Sequence, residues 1–281
     1  MGRTWHAGKI AGIKLNIHPT FLILLIWVGF TTLFSGGTTA DVFSEIAFIL
    51  VLFLSVVLHE LGHALAAKSY GIATKDITLL PIGGVARLER MPEEPKQELI
   101  VAAAGPAVNV LIAGVLFVGL LISGAISGPV EMGMLLDNFW LRLLSVNLTL
   151  VLFNLIPAFP MDGGRVLRAI LASRMDYTKA TRTAANIGRG FAVLMGIAGF
   201  IINPWLVLTA IFIWSGAGAE ADAVEMKADM EGLMVRDAMI SQFYQVEANQ
   251  PLDIVFQLSM TTGQQNIPVV SNGHFLGIIR R

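Results

Sequence analysis

The residues His59-Glu60-Leu61-Gly62-His63 place two imidazoles four positions apart with a carboxylate directly after the first. On a helix, positions i and i+4 share a face, so both rings can reach one metal ion. The glutamate between them can take a proton from a water that the metal activates. With only five His in 281 residues, a shuffled chain would contain this pattern about 0.003 times, so composition does not supply it. The ordinary alternative is a packed histidine pair beside a buried glutamate. Within an apolar span that arrangement is expensive, because an unpaired ionisable group costs roughly 2.5–3.5 kcal/mol on insertion scales. The motif therefore reads as a metal site, and a catalytic zinc takes three protein ligands and leaves a fourth position open.

The third ligand has to come from elsewhere. His6, His18 and His274 are the remaining histidines, and Asp162 is the alternative. His18 precedes Pro19, where a polar residue entering a helix is ordinary. Asp162 sits in Asn154-Leu155-Ile156-Pro157-Ala158-Phe159-Pro160-Met161-Asp162-Gly163-Gly164-Arg165, where the prolines and glycines predict non-helical backbone. Backbone of that kind at membrane depth lines a cavity or is buried in protein. Asn154 could donate a hydrogen bond to a developing oxyanion, or simply cap a helix.

Which candidates can meet depends on the elements that carry them. Hydrophobic residues make up 55% of the chain and charged residues 14%, with mean hydropathy +0.70. A soluble domain carries roughly 25% charged residues, so the composition excludes an ordinary water-soluble globule. A net charge of −1 excludes a basic nucleic-acid surface. The chain holds no Cys, so there is no disulfide scaffold. A polytopic membrane protein remains. Its candidate spans are 17–34, 46–67, 99–122, 139–155 and an apolar region 191–219 interrupted by Asn203-Pro204.

Charge placement orients them. Reading Asn203-Pro204 as an outer turn between two short helices gives six spans and puts 18 of the 19 Lys+Arg on one side, the cytoplasmic side by the positive-inside rule. The exception is Arg142. Both termini are then cytoplasmic in a multi-pass protein of the cell membrane. The paired histidines fall in the cytoplasmic half of the second span, and Asp162 follows the fourth span on the same side. Asp41, Glu131 and Asp137 fall on the opposite side. Depth thus favours Asp162 as the third ligand. The N-terminal stretch has no apolar run of the kind a cleavable signal needs. Two stretches break the helical pattern: Ile10 to Ile17 alternates like a strand, and Gly71 to Met91 reads as a hairpin or small sheet.

Taken together, His59-Glu60-Leu61-Gly62-His63, Gly105-Pro106-Ala107-Val108-Asn109 and Asn154 through Gly164 resemble, in order and in span, the site-2 protease family of intramembrane zinc metalloproteases. The resemblance covers about residues 10–219. It implies an α-helical core with a small membrane-associated β-sheet and one zinc ion per chain held by His59, His63 and Asp162. It also implies Glu60 as general base and Asn154 as a helper at the scissile carbonyl. The substrate would be a transmembrane protein cut in or near its membrane segment. This chain reads Asn154-Leu155-Ile156-Pro157 where many relatives have Asn-Pro directly. The Gly105–Asn109 cluster reads best as helix packing.

Residues 233–281, reached through a polar linker 220–232 after a transmembrane domain of residues 1–219, resemble the first half of a CBS domain, as in one branch of this family. A full CBS pair would imply adenine-nucleotide binding. A half module would imply a truncated chain or pairing with another chain, a homo-oligomer being one such pairing. The rival from a different functional class is a transporter or channel using the same intramembrane polar residues. It accounts for broken helices but not for a carboxylate placed between paired imidazoles. A catalytically dead membrane scaffold is a third reading, and the intact set His59, Glu60, His63 and Asp162 argues against it.

Overall fold

The computed structural model describes residues 4–126, 133 and 138–280. Arg3, Glu131, Asp137 and Arg281, which enter the charge pattern above, lie outside the described residues. The chain divides into two compact units, Met1–Ala228 and Asp229–Arg281.

The first unit is mostly helical and carries a four-stranded sheet. Strands β1 (Trp5–Ile10) and β2 (Ile13–Ile17) form an antiparallel hairpin. Its two turn residues, Ala11 and Gly12, both have positive φ (52° and 87°), as a two-residue hairpin turn requires. The alternating stretch Ile10–Ile17 is thus the turn and second arm of a hairpin that begins earlier. Helices α1 (Pro19–Phe34) and α2 (Thr39–Ser69) follow. The chain then returns as β3 (Thr74–Leu80), parallel to β2, and folds back into β4 (Gly83–Leu88), antiparallel to β3. The order β1-β2-β3-β4 leaves β4 as a sheet edge.

Among the described residues five more helices complete the unit: α3 (Pro95–Ile122), α4 (Phe139–Asn154), α5 (Asp162–Ala172), α6 (Tyr177–Ile201) and, after a break at 202–204, α7 (Trp205–Met230). Among the described residues four helices, α2, α3, α6 and α7, are long and apolar enough to cross a membrane. Helices α1 and α4 are apolar but have 16 residues each, about 24 Å of helix against a hydrocarbon core of about 30 Å. Outward residues of α1, α4 and α6, such as Ile26, Trp27, Leu152, Leu194 and Phe200, are exposed, which suits a lipid solvent.

Two expectations need correction. The last two helices are not short: α6 has 25 residues and α7 has 26. Apolar composition marks only part of each, whereas the helices extend through the polar residues Tyr177–Gly190 and Glu220–Met230 without a breaker. Most of the segment 220–232 is accordingly helical. The irregular segment after α4 is also briefer than the prolines and glycines suggest, because Asp162 opens α5. Gly163 and Gly164 are helical there. A side chain at Gly163 would strike the backbone of Leu155 and Ile156, and one at Gly164 the backbone of Ala158 and Phe159.

A buried ion network fixes α5 against its neighbours. Arg168 is 1% exposed and Glu98 0%. Arg168 Nε donates to Glu98 on α3 at 2.7 Å, and its Nη1 donates to Glu220 on α7 at 2.6 Å. The guanidinium also lies 5.0 Å from the Phe159 ring centroid and 4.9 Å from that of Tyr177. Removing one partner from such a cluster leaves an uncompensated charge, at a cost of about 3–5 kcal/mol.

The second unit holds the short helix α8 (Val235–Ala238), β5 (Val246–Glu247), α9 (Leu252–Thr262), β6 (Asn266–Ser271) and β7 (His274–Arg280). Strand β5 runs parallel to β6, and β6 pairs antiparallel with β7. Gly263 closes α9 in the left-handed conformation at φ 71°, a common helix stop.

Candidate metal centre

Helix α2 turns His59 and His63 inward, and both are buried. This face is open to them because α3 approaches closely. A Cβ on Gly62 would stand 2.8 Å from the Ala104 carbonyl oxygen. One on Gly105 would overlap the His63 imidazole and stand 2.7 Å from His59 Nε2. The glycines permit the helix approach, and Gly105 leaves the space the imidazoles occupy.

Asp162, at the first position of α5, completes the group. His59 Nε2 and His63 Nε2 are 3.1 Å apart, and Asp162 Oδ2 lies 3.2 Å from each. Ligands held about 2.0–2.1 Å from a tetrahedral zinc stand about 3.3 Å from one another. The other ring nitrogens are committed. His63 Nδ1 lies 2.7 Å from the Val101 carbonyl oxygen, which can only accept. His59 Nδ1 lies 2.5 Å from Asn109 Oδ1. With both Nδ1 atoms donating, neutral rings present two Nε2 lone pairs and a carboxylate oxygen to one point. Such a set is mutually repulsive until a cation joins it, so the donor chemistry fits zinc. Among the described residues this is the one group of three or more His, Asp and Glu side chains that converges in this way.

The group faces a cavity of about 440 Å³, also lined by Glu60, Asn154, Arg165, Phe212 and the β4 residues Gly83 to Ala86. Glu60 accepts a hydrogen bond from the Ala86 backbone N–H at 3.0 Å. Gly84 lets the strand come this near, since a Cβ there would stand 2.8 Å from Glu60 Cγ. The edge of β4 therefore runs beside the carboxylate.

The structure thus brings His59, Glu60, His63, Asn154 and Asp162 to one cavity. His18 instead caps α1, accepting from the Thr20 N–H at 3.3 Å. His6 pairs with Asn16 across β1 and β2 at 3.4 Å. His274 belongs to the second unit. Sequence reasoning placed Asn109 in helix packing and passed over Asn147. Asn109 Nδ2 donates to Asn147 Oδ1 at 2.9 Å, so both belong to the surroundings of His59. The available signals were the one-turn spacing of Asn109 from Gly105 and the isolated amide of Asn147 within an apolar span. Arg165 was also missed. Its position one turn after Asp162 puts it on the same face.

Comparison with known proteins extends the geometry. The model described as Peptidase family M50 matches residues 47–197. A zinc metalloprotease of Methanocaldococcus jannaschii is 39% identical over 272 residues, covering 96% of this chain and 76% of that protein. Stage IV sporulation protein FB of Bacillus subtilis is 28% identical over 193 residues, covering 68% of this chain and 59% of its own length. A solved structure titled site-2 protease from Methanocaldococcus jannaschii superposes with TM-score 0.55 at 38% identity, covering 78% of this chain and 95% of that one.

Proposed function

The chain belongs to peptidase family M50, the site-2 proteases, and is an intramembrane zinc metalloprotease; from this premise we propose that His59, His63 and Asp162 hold its zinc, Glu60 is its general base, and Asn154 assists at the scissile carbonyl. The observation that carries this reading is the convergence of the three ligand atoms within 4.8 Å of one another, with all three residues buried.

Zinc bound there supplies Lewis acidity, which makes water nucleophilic near neutral pH and polarises a carbonyl. Glu60 accepts the proton of the attacking water and returns it to the leaving amine. The Asn154 amide donates to the carbonyl oxygen as negative charge develops on it. A helical substrate has its carbonyls locked in hydrogen bonds, so the cut segment has to be unwound. The β4 edge beside Glu60 suits an extended segment added as a further strand.

The substrate is a transmembrane protein, reached through the bilayer. Six spans, α1, α2, α3, α4, α6 and α7, with both termini cytoplasmic, suit the bias of Lys and Arg to one side. In this arrangement residues 1–219 form the membrane protease domain, 220–232 join it to the tail, and residues 233–281 are a partial CBS module. That module binds adenine nucleotide only as part of a full pair and offers a route to a homo-oligomer.

The test is Glu60→Gln. The variant retains zinc and leaves a co-expressed membrane substrate uncut. Full cleavage by that variant would remove Glu60 as the base.

A further inference from the structure

The two histidines are supported in different ways, and the difference points to residues outside the ligand set. His63 Nδ1 meets a backbone carbonyl directly. A carbonyl can only accept, so Nδ1 carries the proton and Nε2 is free to bind metal. His59 Nδ1 instead meets the side-chain amide of Asn109. A primary amide can offer either its oxygen or its NH₂. Should the NH₂ face His59, Nδ1 would have to accept and the proton would move to Nε2, where it would block the metal.

What decides the matter lies two links further on. Asn147 Nδ2 donates to the Leu143 backbone carbonyl at 2.9 Å. That carbonyl cannot donate, so the Asn147 NH₂ is pinned and its oxygen faces Asn109. Asn109 must answer with its NH₂, at 2.9 Å. Its oxygen is then turned to His59. Reversing either amide would set two acceptors or two donors against each other. Asn109 and Asn147 are both 0% exposed, so no water can compensate for a mismatch, and an unmet buried polar group costs about 1–3 kcal/mol.

We propose that Asn147 and Asn109 are positioning residues that transmit the fixed polarity of the Leu143 carbonyl on α4 to His59 on α2, holding that imidazole in the tautomer that binds zinc. The inference rests on the ligand set proposed above. Neither amide touches the substrate, and both act through His59. Partners of this kind change metal affinity by about 10–100-fold when removed.

The experiment measures the zinc dissociation constant of the purified full chain in detergent by chelator competition. Wild type, Asn147→Leu, Asn147→Asp, Asn109→Asp and Asn109→Asp/Asn147→Leu are compared. Leucine is apolar, close in size and cannot orient Asn109, so zinc binding weakens about 10-fold or more. Aspartic acid keeps an oxygen toward Asn109 and, when protonated, a donor toward Leu143, so binding stays within a few-fold of wild type. In the double variant the carboxylate at 109 has only acceptors to offer an unprotonated partner, and the loss caused by Asn147→Leu largely disappears relative to Asn109→Asp alone. A purely structural role for Asn147 predicts the reverse ranking, with the apolar Leu better tolerated than the buried acid, and an equal loss in both backgrounds. Either of those results overturns the proposal, as does wild-type affinity in Asn147→Leu. If Asn147→Leu does not yield folded protein, Asn147→Ala is the second variant lacking the anchor and carries the same expectation. Wild-type protein that binds no zinc would instead refute the ligand assignment itself.

Discussion

The two walls of the cavity are built on opposite plans. On the helical wall the polar groups behind the paired histidines are committed. His63 is held by Val101, His59 by Asn109, Asn109 by Asn147, and Asn147 by Leu143. On the other wall β4 is a sheet edge, and its Ala86 N–H reaches across to Glu60. The contrast separates two tasks. A metal needs donors fixed to within a fraction of an ångström, which a dry and fully paired helical interior supplies. A peptide substrate needs main-chain groups that can still form bonds, which an edge strand supplies.

The strongest way to break the comparison is to fill the helical wall. Gly105→Ala drives a methyl group into the His63 ring. It is expected to abolish stoichiometric zinc and to reduce proteolysis by several orders of magnitude, as read by metal analysis and a cleavage assay on the same preparation. Zinc retained at one per chain would show that the wall yields more than its packing implies.

Next comes the network that seats α5. Arg168→Met leaves Glu98 buried without its cation. Unfolding in detergent should become easier by about 3–5 kcal/mol, with part of the zinc lost because Asp162 rides on the same helix. Stability within about 0.5 kcal/mol of wild type would mean that the network contributes little.

The edge-strand wall predicts a different signature. Ala86→Pro removes the N–H directed at Glu60 and sits on a sheet edge, where proline is tolerated. Zinc should stay bound, while kcat/KM falls about 10-fold, the loss of roughly one hydrogen bond. Zinc loss in this variant would show that the two walls are not separable.

The smallest effect concerns the hairpin itself. Asp76 on β3 is paired with Arg87 on β4, and the adjacent guanidinium holds its carboxyl below the usual carboxylate range. Because the folded-state pKa lies below the unfolded value of 3.8, this contribution is fully present above that pH. It is lost as the pH falls through the folded value. The protection of the β3 and β4 amides, measured as exchange relative to the intrinsic rate at the same pH, should therefore fall at low pH in wild type. In Asp76→Asn the protection should be lower already at neutral pH and fall less with acid, and equal protection in the two proteins at neutral pH would discount the pair.

Much of this arrangement can be read from residue order. The His59–His63 spacing defines a helix face, and charge placement predicts the same depth for Asp162. Gly71–Met91 announces a hairpin, observed as β3 and β4. What escaped the sequence reading depends on long-range contact. The polar ends of α6 and α7 carry no apolar signal, so their full lengths went unseen. Asn109 and Asn147 are 38 positions apart, and nothing local marks two amides as partners or says which way each one faces. The Ala86 N–H is a backbone group, so no side-chain pattern could have linked it to Glu60.

The central claim is that His59 and His63 of α2 and Asp162 of α5 grip one zinc together. Metal analysis of purified wild type beside Asp162→Ala tests it most directly. The account predicts one zinc per chain in wild type and loss of that tightly held ion in the variant. An Asp162→Ala protein that still keeps one tight zinc would contradict it.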